Sequence, residues 1–215
     1  MGQSRTGVAQ GSALASHNTS APPGGGSRVY VIRGPGNHVN EIAWVGSFWN
    51  TTDLPYATGA PSATAGSALT SHDSNGSRVY FISSDNHVHE LAWSDNGLGQ
   101  WSWNTTDLTD AAGAPSAIAG SALASHDSSG SRVYFIGSDN HVYEIASKGN
   151  SWNYTPLTGV ATAAPSPIAG SALTSHNTSA DPGGAGCTLS VATITATITC
   201  TRSPGRCRLV GTPPT

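Results

Sequence analysis

The sequence predicts an all-β fold made of repeated four-stranded blades, and three observations carry that prediction. The phrase Gly-Ser-Ala-Leu-(Ala/Thr)-Ser-His begins at Gly11, Gly66, Gly120 and Gly170. Its spacings of 55, 54 and 50 residues are those of propeller or solenoid repeats. Within each unit, short β-branched and aromatic runs alternate with Gly, Asn and Asp turns. No segment of comparable length shows a 3.6-residue apolar period. A side chain present in every unit is either scaffold or one of several equivalent binding sites.

The second unit shows the plan. Ala63 to Ser71 is a small-residue apolar strand, and His72 to Gly76 is a turn. Ser77-Arg78-Val79-Tyr80-Phe81-Ile82 has strong β propensity. Ser84-Asp85-Asn86 is turn chemistry. Val88 to Trp93 makes the third strand, Gly97 to Gly99 interrupts, and Trp101 to Leu108 makes the fourth. Four short strands in about fifty residues are one propeller blade. The third unit repeats the pattern through Ser131–Ile136, Val142–Ile145 and Trp152-Asn153. The first does so through Ser27–Tyr30, Asn37–Val39, Glu41–Trp44 and Trp49–Leu54.

The predicted organisation is therefore an N-terminal extension (1–10), three complete blades (11–65, 66–119, 120–169) and the start of a fourth (170–184). These are β-propeller blades of an incomplete ring. The repeat stops at Gly184, where Ser-Arg-Val-Tyr is due and Ala185-Gly186-Cys187-Thr188 stands. Written as GGA GCC GGG TGT ACT, Gly184 to Thr188 read one base early gives AGC CGG GTG TAC, which encodes Ser-Arg-Val-Tyr. Synonymous choices continue this through Phe-Ile-Gly-Ser-Asp-Asn-His, the text of Phe135 to His141. A one-base slip near Gly183-Gly184 follows, and residues 185–215 are predicted to be a frameshifted tail with no selected fold or function.

Composition narrows function. Charged residues are 10%, the net charge is −3 and Lys148 is the one lysine, which gives no electrostatic basis for binding nucleic acid. No run of 18 apolar residues predicts membrane insertion. Residues 1–10 contain no apolar signal-peptide core, so the expectation is a protein cytoplasmic on synthesis or secreted by a non-classical route. The three cysteines follow residue 186, so neither a disulfide framework nor a metal site is expected, and no cofactor is called for.

The recurring polar set is Arg28, Arg78 and Arg132 with Glu41, Glu90 and Glu144, and Trp49, Trp103 and Trp152. Arg precedes Glu by 13, 12 and 12 residues. Across a hairpin, that spacing brings the two side chains near one another on one face if the register allows. A guanidinium fork, a carboxylate and an indole face together suit a sugar, whose hydroxyls need polar partners and whose C–H face needs a flat apolar wall. The same residues equally make a cross-strand salt bridge and an inter-blade core. The repeated histidines (His17, His72, His126, His176; His38, His87, His141) are expected to be structural, and His89 is off the pattern. Asp53 and Asp107 are expected to bond local backbone amides. A glycosidase needs two carboxylates in unlike environments, which identical copies do not supply, and no hydrolase or calcium-loop motif occurs, so no enzyme is predicted.

The pattern Arg-Val-Tyr-(Phe/Val)-Ile…Asn-His-Val-x-Glu-(Leu/Ile)-Ala…Trp-Asn, after Ser-Ala-Leu, resembles the fucose-binding β-propeller lectins of the Aleuria type and their bacterial and Photorhabdus-type relatives. The resemblance covers about residues 11–184. It implies a multivalent lectin for fucosylated glycans, with an Arg and a Glu of one blade on the sugar's polar groups and aromatic residues of the next blade on its apolar face. Carried over, Arg28 and Glu41 work with Trp93 and Trp103, and Arg78 and Glu90 with Trp152. Arg132 and Glu144 need a wall from the fourth blade. Trp44 and Trp49 are the first unit's wall residues, while Ser147 stands where Trp44 and Trp93 do. The resemblance also implies that two chains of three blades pair as a homodimer closing a six-bladed ring. The competing readings are a non-catalytic scaffold that binds protein, and a truncated product without function.

Overall fold

A computed structural model describes residues 12–22, 25–160, 167, 171–177, 185–191, 194–200 and 207–210. The extension 1–10, Gly11, Gly170 and residues 178–184, where the slip is expected, lie outside the described residues. The contacts divide the chain into two compact units, Met1–Asp85 with His89–Thr106, and Asn86–Val88 with Asp107–Thr215.

Each repeat is a four-stranded antiparallel meander, as the sequence predicts. Blade 1 is β1 (Leu14–Thr19), β2 (Gly26–Arg33), β3 (His38–Val45) and β4 (Phe48–Asp53), paired in that order. Blade 2 is β5 (Leu69–Asp73), β6 (Ser77–Ile82), β7 (Val88–Asp95) and β8 (Trp101–Asp107). Blade 3 is β9 (Leu123–Asp127), β10 (Ser131–Ile136), β11 (Val142–Lys148) and β12 (Ser151–Pro156). The first strand is shorter than Ala63 to Ser71 suggests. Ala63 makes an isolated bridge to Ser83, and the regular strand starts at Leu69 and runs on through His72.

One element has no counterpart in the sequence reading. After the fourth strand, each blade makes a single helical turn: α1 (Leu54–Thr58), α2 (Leu108–Ala112) and α3 (Leu157–Val160). The side chains of Asp53 and Asp107 cap α1 and α2, accepting from the Tyr56 and Asp110 amides, both at 3.1 Å. The expected local role of these carboxylates is thus an N-cap. Leu108 opens α2 rather than closing β8, and its side chain is fully buried.

In the first unit, Tyr30, Ile32, Val39 and Leu54 of blade 1 pack on Leu69, Val79, Phe81 and Leu91 of blade 2. In the second unit, Tyr134, Ile136, Val142 and Leu157 pack on Leu173. Leu173 lies on β13 (Ala172–Asn177), the inner strand of the fourth repeat. The backbone of the tail pairs onto it as β14 (Ala185–Val191), β15 (Ile194–Cys200) and β16 (Cys207–Val210). Thr, Ile and Val are frequent in these stretches, which favours strands, and β13 offers them an edge to pair with.

Candidate functional site

The register places each arginine and its glutamate on one face. In blade 1, Arg28 lies opposite Ala43 and Tyr30 opposite Glu41. With side chains alternating along each strand, Arg28, Tyr30 and Glu41 share a face. In blade 3 the pairs are Arg132 with Ala146 and Tyr134 with Glu144.

The contacts then differ blade by blade. Arg28 Nε lies 3.3 Å from Glu41 Oε1, and Arg28 Nη1 donates to the Trp44 carbonyl at 3.0 Å and the Ser27 carbonyl at 3.3 Å. In blade 2, Arg78 Nε is 3.8 Å from Glu90 Oε2, while Nη1 donates to the Trp93 carbonyl at 3.0 Å. In blade 3, Arg132 Nη1 bonds Glu144 Oε1 directly at 2.7 Å and Nε reaches the Ser128 carbonyl at 3.3 Å. The tyrosine of each Arg-Val-Tyr triplet donates its hydroxyl to the same glutamate, at 3.5, 2.9 and 2.8 Å for Tyr30, Tyr80 and Tyr134. Sequence reasoning passed over these tyrosines, although they recur in every unit and their hydroxyls carry the signal. Burial raises the Glu41 and Glu90 carboxyls above the ordinary value of 4.5, against the pull of Arg28 and Arg78.

Beside the first pair is a cavity of about 240 Å³, wholly within the first compact unit. Arg28 and Glu41 form its polar side, together with Asn50 and Thr52 of β4. Trp93 and Trp103 of blade 2 form an aromatic wall, and Ala43 and Val45 complete the lining. The two indoles are 5.8 Å apart, and Trp103 also meets the Tyr30 ring edge-on at 6.3 Å. The structure therefore gathers Arg28, Glu41, Trp93 and Trp103 around one space. Asn50 and Thr52 belong to a repeated Asn-Thr-Thr segment that sequence reasoning used only for its aspartate. The cavity is large enough for a monosaccharide and offers donors, acceptors and a flat apolar face.

The remaining candidates fall elsewhere. Trp44 and Trp49 are cross-strand partners in blade 1, 5.3 Å apart, and neither lines that cavity. Trp49 is half exposed. Trp152 is half-buried, opposite Ser147 in blade 3, and belongs to the second unit, whereas Arg78 and Glu90 belong to the first.

The histidines divide in two. His17, His72 and His126 lie within the inner strands, not at turn edges, and each stacks on the tyrosine of its own blade at 5.5–5.6 Å. His38 and His87 bond Asp53 and Asp107, each at 2.8 Å. His89, off the pattern, is buried and stacks on Phe81. Among the described residues, His87, Asp107 and Asp110 are the one cluster with metal-like donors, and Asp107 is already spent on the α2 cap. Among the described residues, no helix is long and apolar enough to cross a membrane.

Comparison with known proteins gives the family and the fold. The family model described as fungal fucose-specific lectin matches residues 2–182, ending where the repeat gives way to the tail. No curated protein matches the chain. Among solved structures, AofleA from Arthrobotrys oligospora is 21% identical with a TM-score of 0.69, over 93% of this chain and 56% of that one. A mutant of Aleuria aurantia lectin in complex with Fucα1-6GlcNAc is 18% identical with a TM-score of 0.66, over 95% of this chain and 64% of that one. SapL1 lectin in complex with α-methyl fucoside is 18% identical with a TM-score of 0.59, over 94% and 64%. The chain thus spans about three-fifths of the length of these lectins, and the likeness is one of fold.

Proposed function

The chain belongs to the fungal fucose-specific lectin family, and on that premise we propose that it binds fucosylated glycans without catalysis, at sites built between adjacent blades. The observation that carries this reading is the space shared by Arg28 and Glu41 of blade 1 and Trp93 and Trp103 of blade 2. The buried guanidinium is held by Glu41 and two backbone carbonyls, and its Nη2 has no hydrogen bond among the described residues. That leaves a donor for a sugar oxygen. Glu41 supplies an acceptor, and the indoles supply the surface on which a deoxysugar's C–H groups stack.

The Arg–Glu–Tyr set recurs in three blades, which supports more than one site per chain. A shallow monosaccharide site is weak alone, and copies on one scaffold gain by avidity on dense glycans. The third blade is the poorest candidate, because Arg132 spends Nη1 on Glu144.

Isothermal titration of the full chain with α-methyl fucoside, beside a glycan array, tests the reading. We expect saturable binding that Trp103→Ala abolishes at the first site. A folded protein that binds no fucoside on either assay favours the scaffold reading instead.

A further inference from the structure

One connection in blade 1 has no parallel in blades 2 and 3. From His17 to Ser27 the chain takes ten steps, whereas His72 to Ser77 and His126 to Ser131 each take five. The stretch from Thr19 to Pro22 reaches across to blade 2, within the same compact unit. Thr19 Oγ1 donates to Asp73 Oδ1 at 2.5 Å and accepts from the Ala21 amide at 3.1 Å. Thr19 and Ala21 are both buried, so the crossing is anchored and not draped over the surface. The next residue, Pro22, then accepts the indole N–H of Trp93 on its carbonyl at 2.7 Å.

That bond falls on a wall residue of the candidate site. An indole has a single donor, and once it is given to a backbone carbonyl it is not available to a sugar hydroxyl. The bond also fixes the rotation of a large half-buried ring that stacks on Trp101 and meets Trp103. The connection of blade 2 is short, and blade 3, the next in the chain, has Ser147 where Trp93 stands, so extended connection and following tryptophan are present together in one case and absent together in the next.

We infer that the Pro22 carbonyl, carried on the Thr19–Gly26 connection, is a positioning group for the first sugar site: it locks Trp93 so that the indole offers only its face, and it sets this site apart from the others in the chain. The proposal rests on the lectin reading above. Hydrogen bonding to the sugar is then left to Arg28, Glu41, Asn50 and Thr52.

The test uses the full chain with 15N-labelled indoles and α-methyl fucoside as probe. The Trp93 Nε1–H signal reports this site alone. In the wild type it is expected to exchange slowly with solvent and to stay hydrogen-bonded to the protein when fucoside saturates, while the Trp93 and Trp103 ring signals shift. Replacing Asn18–Gly26 by the Asp73–Gly76 turn is expected to speed that exchange and weaken fucoside binding at this site about fivefold, the worth of one ordinary hydrogen bond. Thr19→Val, a milder change should the replacement fail to fold, is expected to act in the same direction by about twofold. An unchanged midpoint in both variants overturns the proposal, as does a Trp93 N–H that leaves Pro22 for the bound sugar. A wild type whose Trp93 N–H is protected but whose rings ignore fucoside overturns the lectin reading, and the sugar role of Pro22 with it. That outcome is distinct from fucoside binding that is indifferent to the connection.

Discussion

Glu41 stands under two opposed demands. Burial raises its carboxyl above the ordinary value, while the proposed chemistry needs it ionised to accept from a sugar. In the window just above 4.5 the folded chain binds the proton more readily than the unfolded one, so Glu41's own contribution to stability grows as pH falls through it. Fucoside affinity is expected to move the other way, declining through the same window. Titration calorimetry across pH 4–7 checks this, and Glu41→Gln should remove the acid decline while lowering affinity at neutral pH about tenfold. His17 has the reverse linkage. Burial lowers it from 6.5 to about 4, so the stability it supports is whole above 6.5 and is lost as pH falls toward 4. Urea unfolding at stepped pH should show that acid loss, and His17→Phe, which keeps the ring against Tyr30, should shrink it. At this scale repetition made Arg28, Glu41 and Trp103 legible, because chemistry that recurs at fixed spacing is visible in one sequence. The Pro22 bond to Trp93 was not, because its partners are 71 residues apart and one of them is a backbone carbonyl.

The elements were legible where a pattern of period two met turn residues, which is why β2, β3, β6, β7, β10 and β11 lie close to their expected places. The helical turns α1 and α2 were hidden because five residues are too few to show a 3.6 period, yet each had its signal: an aspartate before a buried leucine and a glycine at the end. The inner strands began later than expected because Ala and Ser have little β preference of their own, and pairing with the second strand decides their start. A turn glycine gives the sharpest test of the hairpin geometry. Gly76 has φ +121°, and a β-carbon there would stand 2.1 Å from the Trp93 carbonyl oxygen and 3.0 Å from the Trp101 ring. Gly76→Ala is therefore expected to cost about 1–3 kcal/mol in thermal or denaturant unfolding. It should also disturb Trp93, whose carbonyl receives Arg78, so the loss of stability should come with changed tryptophan fluorescence.

For the whole molecule the informative comparison is between equivalent leucines. Leu69, Leu123 and Leu173 are each 7% exposed, and Leu14 is 68% exposed. Val29 and Ile42 follow Leu14 in being only half-buried, where Val79, Leu91, Val133 and Ile145 are fully buried. Blade 1 thus carries, residue for residue, the face that in blade 2 is covered, and within the first unit the cover is Tyr30, Ile32, Val39 and Leu54 of blade 1. The surface that fits the open face is therefore another blade of this same repeat. The corresponding residues of blade 3 already pack on Leu173 within their own chain, so we propose that the open face of blade 1 is covered by a second copy, the pairing that the resemblance implies. Leu14→Glu tests it at little cost to folding, since the side chain is already exposed. Burying one leucine is worth about 1.5–3 kcal/mol, so the variant should weaken self-association by at least about tenfold. Light scattering over a concentration series should then show a wild type of twice the monomer mass and a variant that stays monomeric. Equal masses for the two proteins at every concentration would remove the Leu14 face from the pairing, while leaving the Trp93–Trp103 site within one chain untouched.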